Sequence, residues 1–308
     1  MRRVVAALAL GLAALPGCGL GAGEQRGGDG ATLRVTRDFG RTLLSASREP
    51  ELREDATAMR LLRSRVRVTT RFGGRFVQAI DGVSGKGASG FADWFFYVNG
   101  IEASVGAAEY ELSPGDVVQW DYRNWRVTMD VRAIVGAFPE PFVHGTEGKR
   151  RPVRVECTDG AGGPCRTVKE RLRGAGVPAT GSSLGASGTR NVIRVVVAPF
   201  FRARELPSAR LLEQGPRRSG VFARFRSGGR RLELLDAQGD VVRTAGRGAG
   251  LVAALMPREE ELVWVVTGTD AGGVARAAAA FEAGALRDAF AVAAPVGGAE
   301  KLPLEEPG

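Results

Sequence analysis

The sequence predicts an α+β protein of two domains, a small strand-dominated N-terminal module followed by a C-terminal α/β domain with a mixed sheet. Three observations predict it. From Thr32 to Arg126, short apolar-alternating runs are separated by turn-forming pairs, and one segment alone carries helical spacing. From Val153 to about Gly298, β-branched apolar runs alternate with helix-like segments, the pattern of a layered α/β arrangement. The length, 308 residues or 291 once a leader of Met1 to Gly17 is removed, suits two domains that each bury a core.

The chain opens with Met1-Arg2-Arg3 and an apolar run from Val4 to Leu15 that is too short to span a bilayer, so Met1 to Gly17 reads as a secretory signal. Leu15-Pro16-Gly17-Cys18 resembles a bacterial lipobox, which implies cleavage before Cys18 and diacylation of its sulfur. Two acyl chains anchor stably, since each buried CH₂ contributes about 0.8 kcal/mol. Residues 18–31 then form the lipidated cysteine and a flexible, glycine-rich tether, and the protein is expected at the outer face of the cell membrane.

Thr32 to Asp38 sets Leu33 and Val35 against arginines and predicts an opening strand. Asp55 is the expected N-cap of a short helix running to about Ser64, with Ala58, Leu61 and Leu62 on one face. Arg65 to Thr69 and Phe76 to Ile80 predict two strands across the Gly73-Gly74 turn. The next loop contains Gly85-Lys86-Gly87. It fails as a phosphate loop, because no glycine stands five residues before Gly85 and neither Ser nor Thr follows Lys86, and it is read as a mobile rim. Trp94 to Val98 is a near-continuous apolar run, and Asn99-Gly100 is the pair that a tight hairpin prefers, with a partner strand returning from Ile101. Ser113-Pro114-Gly115-Asp116 predicts a type II turn into a strand carrying Val117, Val118, Trp120 and Tyr122. Trp94, Phe96, Val118 and Trp120 are expected to fill the core, leaving Tyr97, Tyr110, Tyr122 and Trp125 exposed.

Trp94-Phe95-Phe96-Tyr97-Val98-Asn99-Gly100, Gly106-Ala107, Tyr110-x-Leu112 and Gly115-Asp116-x-Val118-x-Trp120-x-Tyr122 together resemble the signature of the transcobalamin-like C-terminal domain family, a bacterial domain of unknown function. Asp55 to Leu62 is similar to the family's single short helix, and the resemblance covers about Thr32 to Arg126. It implies a β-grasp-like fold. In vertebrate cobalamin carriers a domain of this type closes over a corrinoid held on a helical barrel, so the resemblance implies loops that face a polar small molecule, such as a corrinoid, or a partner protein. The contacts it implies are Gly85, Lys86 and Gly87 in the loop from Gly82 to Phe91, Asn99 and Gly100 with their neighbour Tyr97, and Tyr110 in the segment from Ser104. No long helical barrel precedes the module here, and no cofactor other than a corrinoid is suggested.

Residues 127–152, with Pro139 and Pro141, read as a linker that also holds the sole histidine, His144. Cys157 and Cys165 flank a loop able to bend the chain back. Outside the cytoplasm an even pair oxidises, so they are read as a structural disulfide in preference to a redox pair, which lacks Cys-x-x-Cys spacing, or a zinc site, which lacks further ligands. In the α/β domain, residues 153–298, strands are expected at Val153–Glu156, Val192–Ala198, Val221–Phe225, Leu232–Leu235, Val241-Val242 and Leu262–Thr267, with helices at Thr167–Arg173, Leu206–Glu213 and Gly273–Phe281. Thr267-Gly268-Thr269-Asp270 sits where α/β proteins bind anions, but capping by Thr269 or Asp270 is the expectation. Residues 299–308 are expected to be a disordered tail.

The net charge is +9, made almost wholly of arginine, with lysine only at Lys86, Lys149, Lys169 and Lys301. Residues 32–126 carry +2 and residues 127–308 carry +6, a spread excess that favours anionic lipid or wall polymers over nucleic acid, for which no module signature is present. One histidine excludes histidine metal clusters, and nothing else assembles a catalytic set, so the chain is read as a non-enzyme with a binding role. The alternatives are an envelope scaffold or adhesion protein without a small ligand, and an envelope enzyme using the C-terminal domain.

Overall fold

The computed structural model describes residues 30–85, 90–188, 190–259 and 261–305. The expected signal, Cys18 and most of the tether lie outside them, as do Lys86 and Gly87. No described helix is long and apolar enough to cross a membrane.

In the N-terminal module, β1 (Ala31–Arg37) pairs antiparallel with β2 (Thr42–Glu49), a strand without a sequence signal because both of its leucines, Leu43 and Leu44, are exposed and no buried alternation is written in it. Helix α1 (Ala58–Arg65) follows. Its N-cap is Thr57, whose hydroxyl accepts from the Arg60 amide at 3.3 Å, not Asp55, which instead pairs with the Arg60 side chain. Thr57 has the extended backbone that directly precedes the first turn, as capping requires. β3 (Val68–Arg71), β4 (Phe76–Ile80) and β5 (Val83–Ser84) form a small antiparallel sheet of their own. β6 (Ala92–Val98), β7 (Ile101–Glu102) and β8 (Asp116–Asn124) complete the main sheet, in the order β2-β1-β8-β6-β7. First and last strands lie side by side and parallel at its centre, with α1 buried against one face, which is the β-grasp arrangement. Leu33, Val35, Leu61, Leu62, Val98 and Val118 fill that core, and Phe96 stacks on Trp120 at 4.8 Å. Burying each such side chain contributes about 1.5–3 kcal/mol.

The α/β domain is built on a seven-stranded mixed sheet. Its strands are β9 (Val153–Cys157), β10 (Ala179–Ser183) and β11 (Ile193–Pro199), then, beyond a three-stranded antiparallel sheet of β12 (Ala223–Arg226), β13 (Arg231–Leu235) and β14 (Val241–Ala245), β15 (Gly250–Leu255), β16 (Val263–Gly268), β17 (Ala291–Ala294) and β18 (Glu300–Leu302). The order β10-β9-β11-β16-β15-β17-β18 is parallel across the first four and antiparallel thereafter. β11, β15 and β16 are covered on both faces, which is why their sequences read as continuous apolar runs. One face carries α2 (Gly162–Gly174) and α3 (Ala271–Ala280), through Val168, Leu172, Val274, Ala277 and Ala278. The other carries the β12–β14 sheet and short helices, through Phe200, Leu212, Phe222, Phe225, Leu232 and Leu234. Cys157 and Cys165 are joined as a disulfide, fastening the end of β9 to the first turn of α2. Asp270 caps α3, accepting from the Gly273 amide at 2.9 Å and from Gly248 at 3.0 Å, and these bonds hold its carboxyl below the usual range.

Two boundaries differ from expectation. The tail is folded as far as β18, where Leu302 is buried against the sheet, because its edge strand completes pairing with β17. The stretch expected as a linker is core: Val131, Ile134, Val135 and Phe142 are almost fully buried, and the rings of Phe138 and Phe142 meet Phe281 and Trp264 at 4.9 Å each. Its prolines, Pro139 and Pro141, sit in a run of turns without exposing the chain.

Candidate functional site

β6 and β8 have two covered faces. Trp94, Val98, Val118 and Trp120 point into the module, while Tyr97, Gln119, Asp121 and Arg123 point at the α/β domain and are fully buried there. Tyr97 was expected to be exposed and to face a ligand. Instead its ring packs edge-on to Phe290 at 5.5 Å, and burial drives its phenol far above the ordinary value. Alternation alone says which residues share a face, not whether the second face meets water.

Asn99 and Gly100 form the predicted turn, with φ of 53° and 79°. They are also inaccessible. The Asn99 side chain donates to Asp116 Oδ1 and to the Gly145 carbonyl, both at 2.7 Å, and accepts from the Val117 amide at 2.8 Å. The Gly100 carbonyl accepts from Ile134 at 2.8 Å, and a Cβ on Gly100 would stand 2.7 Å from the Ile134 carbonyl oxygen. Asp116, bonded also by the Ser113 amide at 2.8 Å, has its pKa raised by burial. The turn is therefore a buried joint between β8 and the segment that follows it, and it presents no open surface of its own.

Beside it lies a cleft of about 850 Å³ between the two domains, in the size range of small-molecule sites. On the module side lie Ile101, Glu102, Ala103, Ser104 and Tyr110. β7 pairs with β6 on one edge and meets the connecting segment on the other, where Glu102 N donates to Arg132 O at 3.0 Å and Ile101 bridges Ala133. One lip is a tight hairpin in which Thr146 and Lys149 exchange backbone bonds of 3.1 and 2.9 Å, with Glu147 and Gly148 both at positive φ. Arg151, Ile193, Met256, Glu259 and Leu262 line the α/β side.

The lining is amphoteric, with Arg132, Lys149 and Arg151 interspersed with Glu102, Glu147 and Glu259. Burial raises the Glu102 carboxyl to about 7 against the pull of Arg123, whose guanidinium stands 4.0 Å away. Glu102 thus exchanges its proton near neutrality. Tyr110, raised by burial and then by Asp116 and Glu147, stays a neutral hydroxyl.

Of the predicted ligand contacts among the described residues, only Tyr110 lines this cleft, where Ser104 of the same predicted segment also lies. Gly85 lies elsewhere, at the end of β5, where its carbonyl accepts from the Tyr122 hydroxyl at 2.8 Å. The charged residues between 102 and 151 carried only one signal, the dense Glu147-Gly148-Lys149-Arg150-Arg151 run inside the supposed linker. His144 sits beside the cleft as a clamp: its Nδ1 is 2.6 Å from Glu140 Oε1, its amide donates to Glu140 Oε2 at 2.9 Å, and its ring occupies the space over Gly115. Among the described residues, no group of three or more His, Cys, Asp or Glu side chains is placed to hold a metal ion.

A family model described as a domain of unknown function, DUF4430, matches residues 55–124. This family is associated with transcobalamin-like proteins. The match spans 70 of 308 residues, from just before α1 to the end of β8, and so speaks for the module and not for the α/β domain. No curated protein matches the chain.

Proposed function

We propose that this protein is an extracytoplasmic binding lipoprotein, anchored through Cys18 at the outer face of the cell membrane, that takes a polar small molecule in the interdomain cleft without transforming it. The observation that carries the reading is the cleft itself, 850 Å³ bounded by Tyr110, Glu102, Arg132, Lys149 and Arg151, with one wall from the DUF4430 module and the other from the α/β domain. Charges of both signs in one lining suit a ligand that itself bears both signs or many hydrogen-bonding groups. A corrinoid is the first compound to test, because the transcobalamin-like resemblance suggests it.

The test starts from protein purified from its own membranes, whose native mass and visible spectrum report a retained ligand and whose acylation is read in the same mass. Added mass that disappears in Arg132→Glu/Arg151→Glu, with folding intact by circular dichroism, supports the reading. A bare polypeptide whose melting temperature responds to neither corrinoids nor a panel of zwitterionic metabolites sinks it.

A further inference from the structure

Two phenylalanines among the described residues hold a left-handed backbone, Phe39 with φ of 60° and Phe72 with φ of 52°. That conformation is strained for a bulky side chain and persists where something else requires it. For Phe39 the requirement is visible, since its ring is 2% exposed and packs edge-on to Phe222 at 4.7 Å and Phe290 at 5.2 Å. Phe72 is 81% exposed, and its aromatic neighbour is Phe76 at 6.4 Å, itself 38% exposed.

The turn geometry does not ask for an aromatic ring. Phe72-Gly73-Gly74, joining β3 to β4, has φ of 52°, 67° and 93°, and the β12–β13 hairpin repeats this as Ser227-Gly228-Gly229 with 53°, 66° and 97°. In the second copy the position falls to serine, a small polar residue. In the first copy Arg71 and Arg75 flank the rings, both exposed and neither in an ion pair among the described residues. Arg63 approaches from α1, reaching Thr70 Oγ1 at 3.4 Å, and Arg67 is held only loosely by Asp81 at 3.7 Å.

Two exposed rings inside a collar of arginines match the boundary of an anionic bilayer, where rings enter between headgroups and guanidinium groups fork to phosphates. We propose that the hairpin tip Arg71–Phe76 docks on an anionic lipid surface and so sets how the module stands on the membrane. This is independent of the acylation of Cys18 and of any ligand in the cleft.

Co-sedimentation of the full chain with phosphatidylcholine vesicles, with and without phosphatidylglycerol, tests it. All variants share the same N-terminal segment, so differences between them report the hairpin. Phe72→Ser, which installs the residue of the sister turn, is expected to weaken partitioning about tenfold while leaving the melting temperature unchanged or higher. Arg71→Gln/Arg75→Gln is expected to remove the preference for phosphatidylglycerol, as does molar salt. Equal partitioning of Phe72→Ser and the parent overturns the proposal, and so does parent binding that ignores phosphatidylglycerol. A native mass that halves in Phe72→Ser also overturns it, by assigning the tip to a second copy of the chain.

Discussion

Asn99 shows how one residue serves two scales of structure. The asparagine-glycine pair made its turn legible, because few other residues accept positive φ, but its three side-chain bonds to Asp116, Val117 and Gly145 lie across distances that a dipeptide does not encode. Glu102, two residues past the turn's end, has no local signature at all. Its behaviour comes from burial, which lifts its carboxyl from 4.5 to about 7, and its consequence is a pH dependence. Between those values the folded chain binds more protons than the unfolded one, so stability is greatest at the acid end and is lost as pH rises through about 7. Asp121, lifted by burial from 3.8 to about 6 despite bonds from Thr36, Phe39 and Gly40, acts in the same direction over a lower window. Glu102→Gln is therefore expected to flatten the upper part of the decline, recovering about 2–3 kcal/mol at pH 8 relative to pH 5. Urea midpoints of parent and variant across that range check it, and parallel curves would contradict the assignment to Glu102.

At the scale of elements, legibility followed periodicity. Phe76–Ile80 was readable to the residue, and β11, β16 and α3 nearly so, because a continuous apolar run or a capped 3.6-residue stripe has a local cause. β10, with Thr180, Gly181, Ser182 and Ser183, β15, rich in alanine, and β17 carry no local strand signal, since they are strands by virtue of the neighbours they pair with. The burial of the connecting segment has no local signal for a related reason: proline marks where regular structure is broken, not where burial stops. Cysteine spacing was the opposite case, a covalent constraint visible in the sequence. The bond between Cys157 and Cys165 closes a short loop, and the loss of chain entropy in the unfolded state is worth about 2.5 kcal/mol for a loop of this size. Cys165→Ser is expected to destabilise by about that amount, measurable as a fall in melting temperature that dithiothreitol reproduces in the parent and no longer adds to in the variant. An unchanged melting temperature would mean that β9 and α2 hold their packing without the bond.

At the scale of the molecule, the two domains share a core. β8 sends Gln119, Asp121 and Arg123 toward the α/β domain, where Gln119 Nε2 donates to Asp288 O at 3.1 Å and Arg34 pairs with the Asp288 carboxylate. The two backbones approach so closely that a Cβ on Gly40 would stand 2.7 Å from the Asp288 carbonyl carbon. Phe39, Tyr97, Phe222 and Phe290 close this junction, and Arg123 lies over the Phe95 ring at 3.7 Å. A cleft whose walls come from both domains needs them held at fixed separation, and an aromatic cluster with buried polar bonds does so more firmly than a flexible connection. One cooperative unfolding transition is expected for the parent chain. Phe39→Ala removes the central ring and is expected to cost about 3–4 kcal/mol. Because the loss falls on the junction and leaves the module core of Leu33, Leu62, Val118 and Trp120 intact, calorimetry should then resolve two transitions, with the retained disulfide marking the α/β one by its response to reductant. A single transition displaced to lower temperature would instead show that the domains stay coupled through the contacts that remain, among them Tyr97 on Phe290, Gln119, Arg34 and the connecting segment.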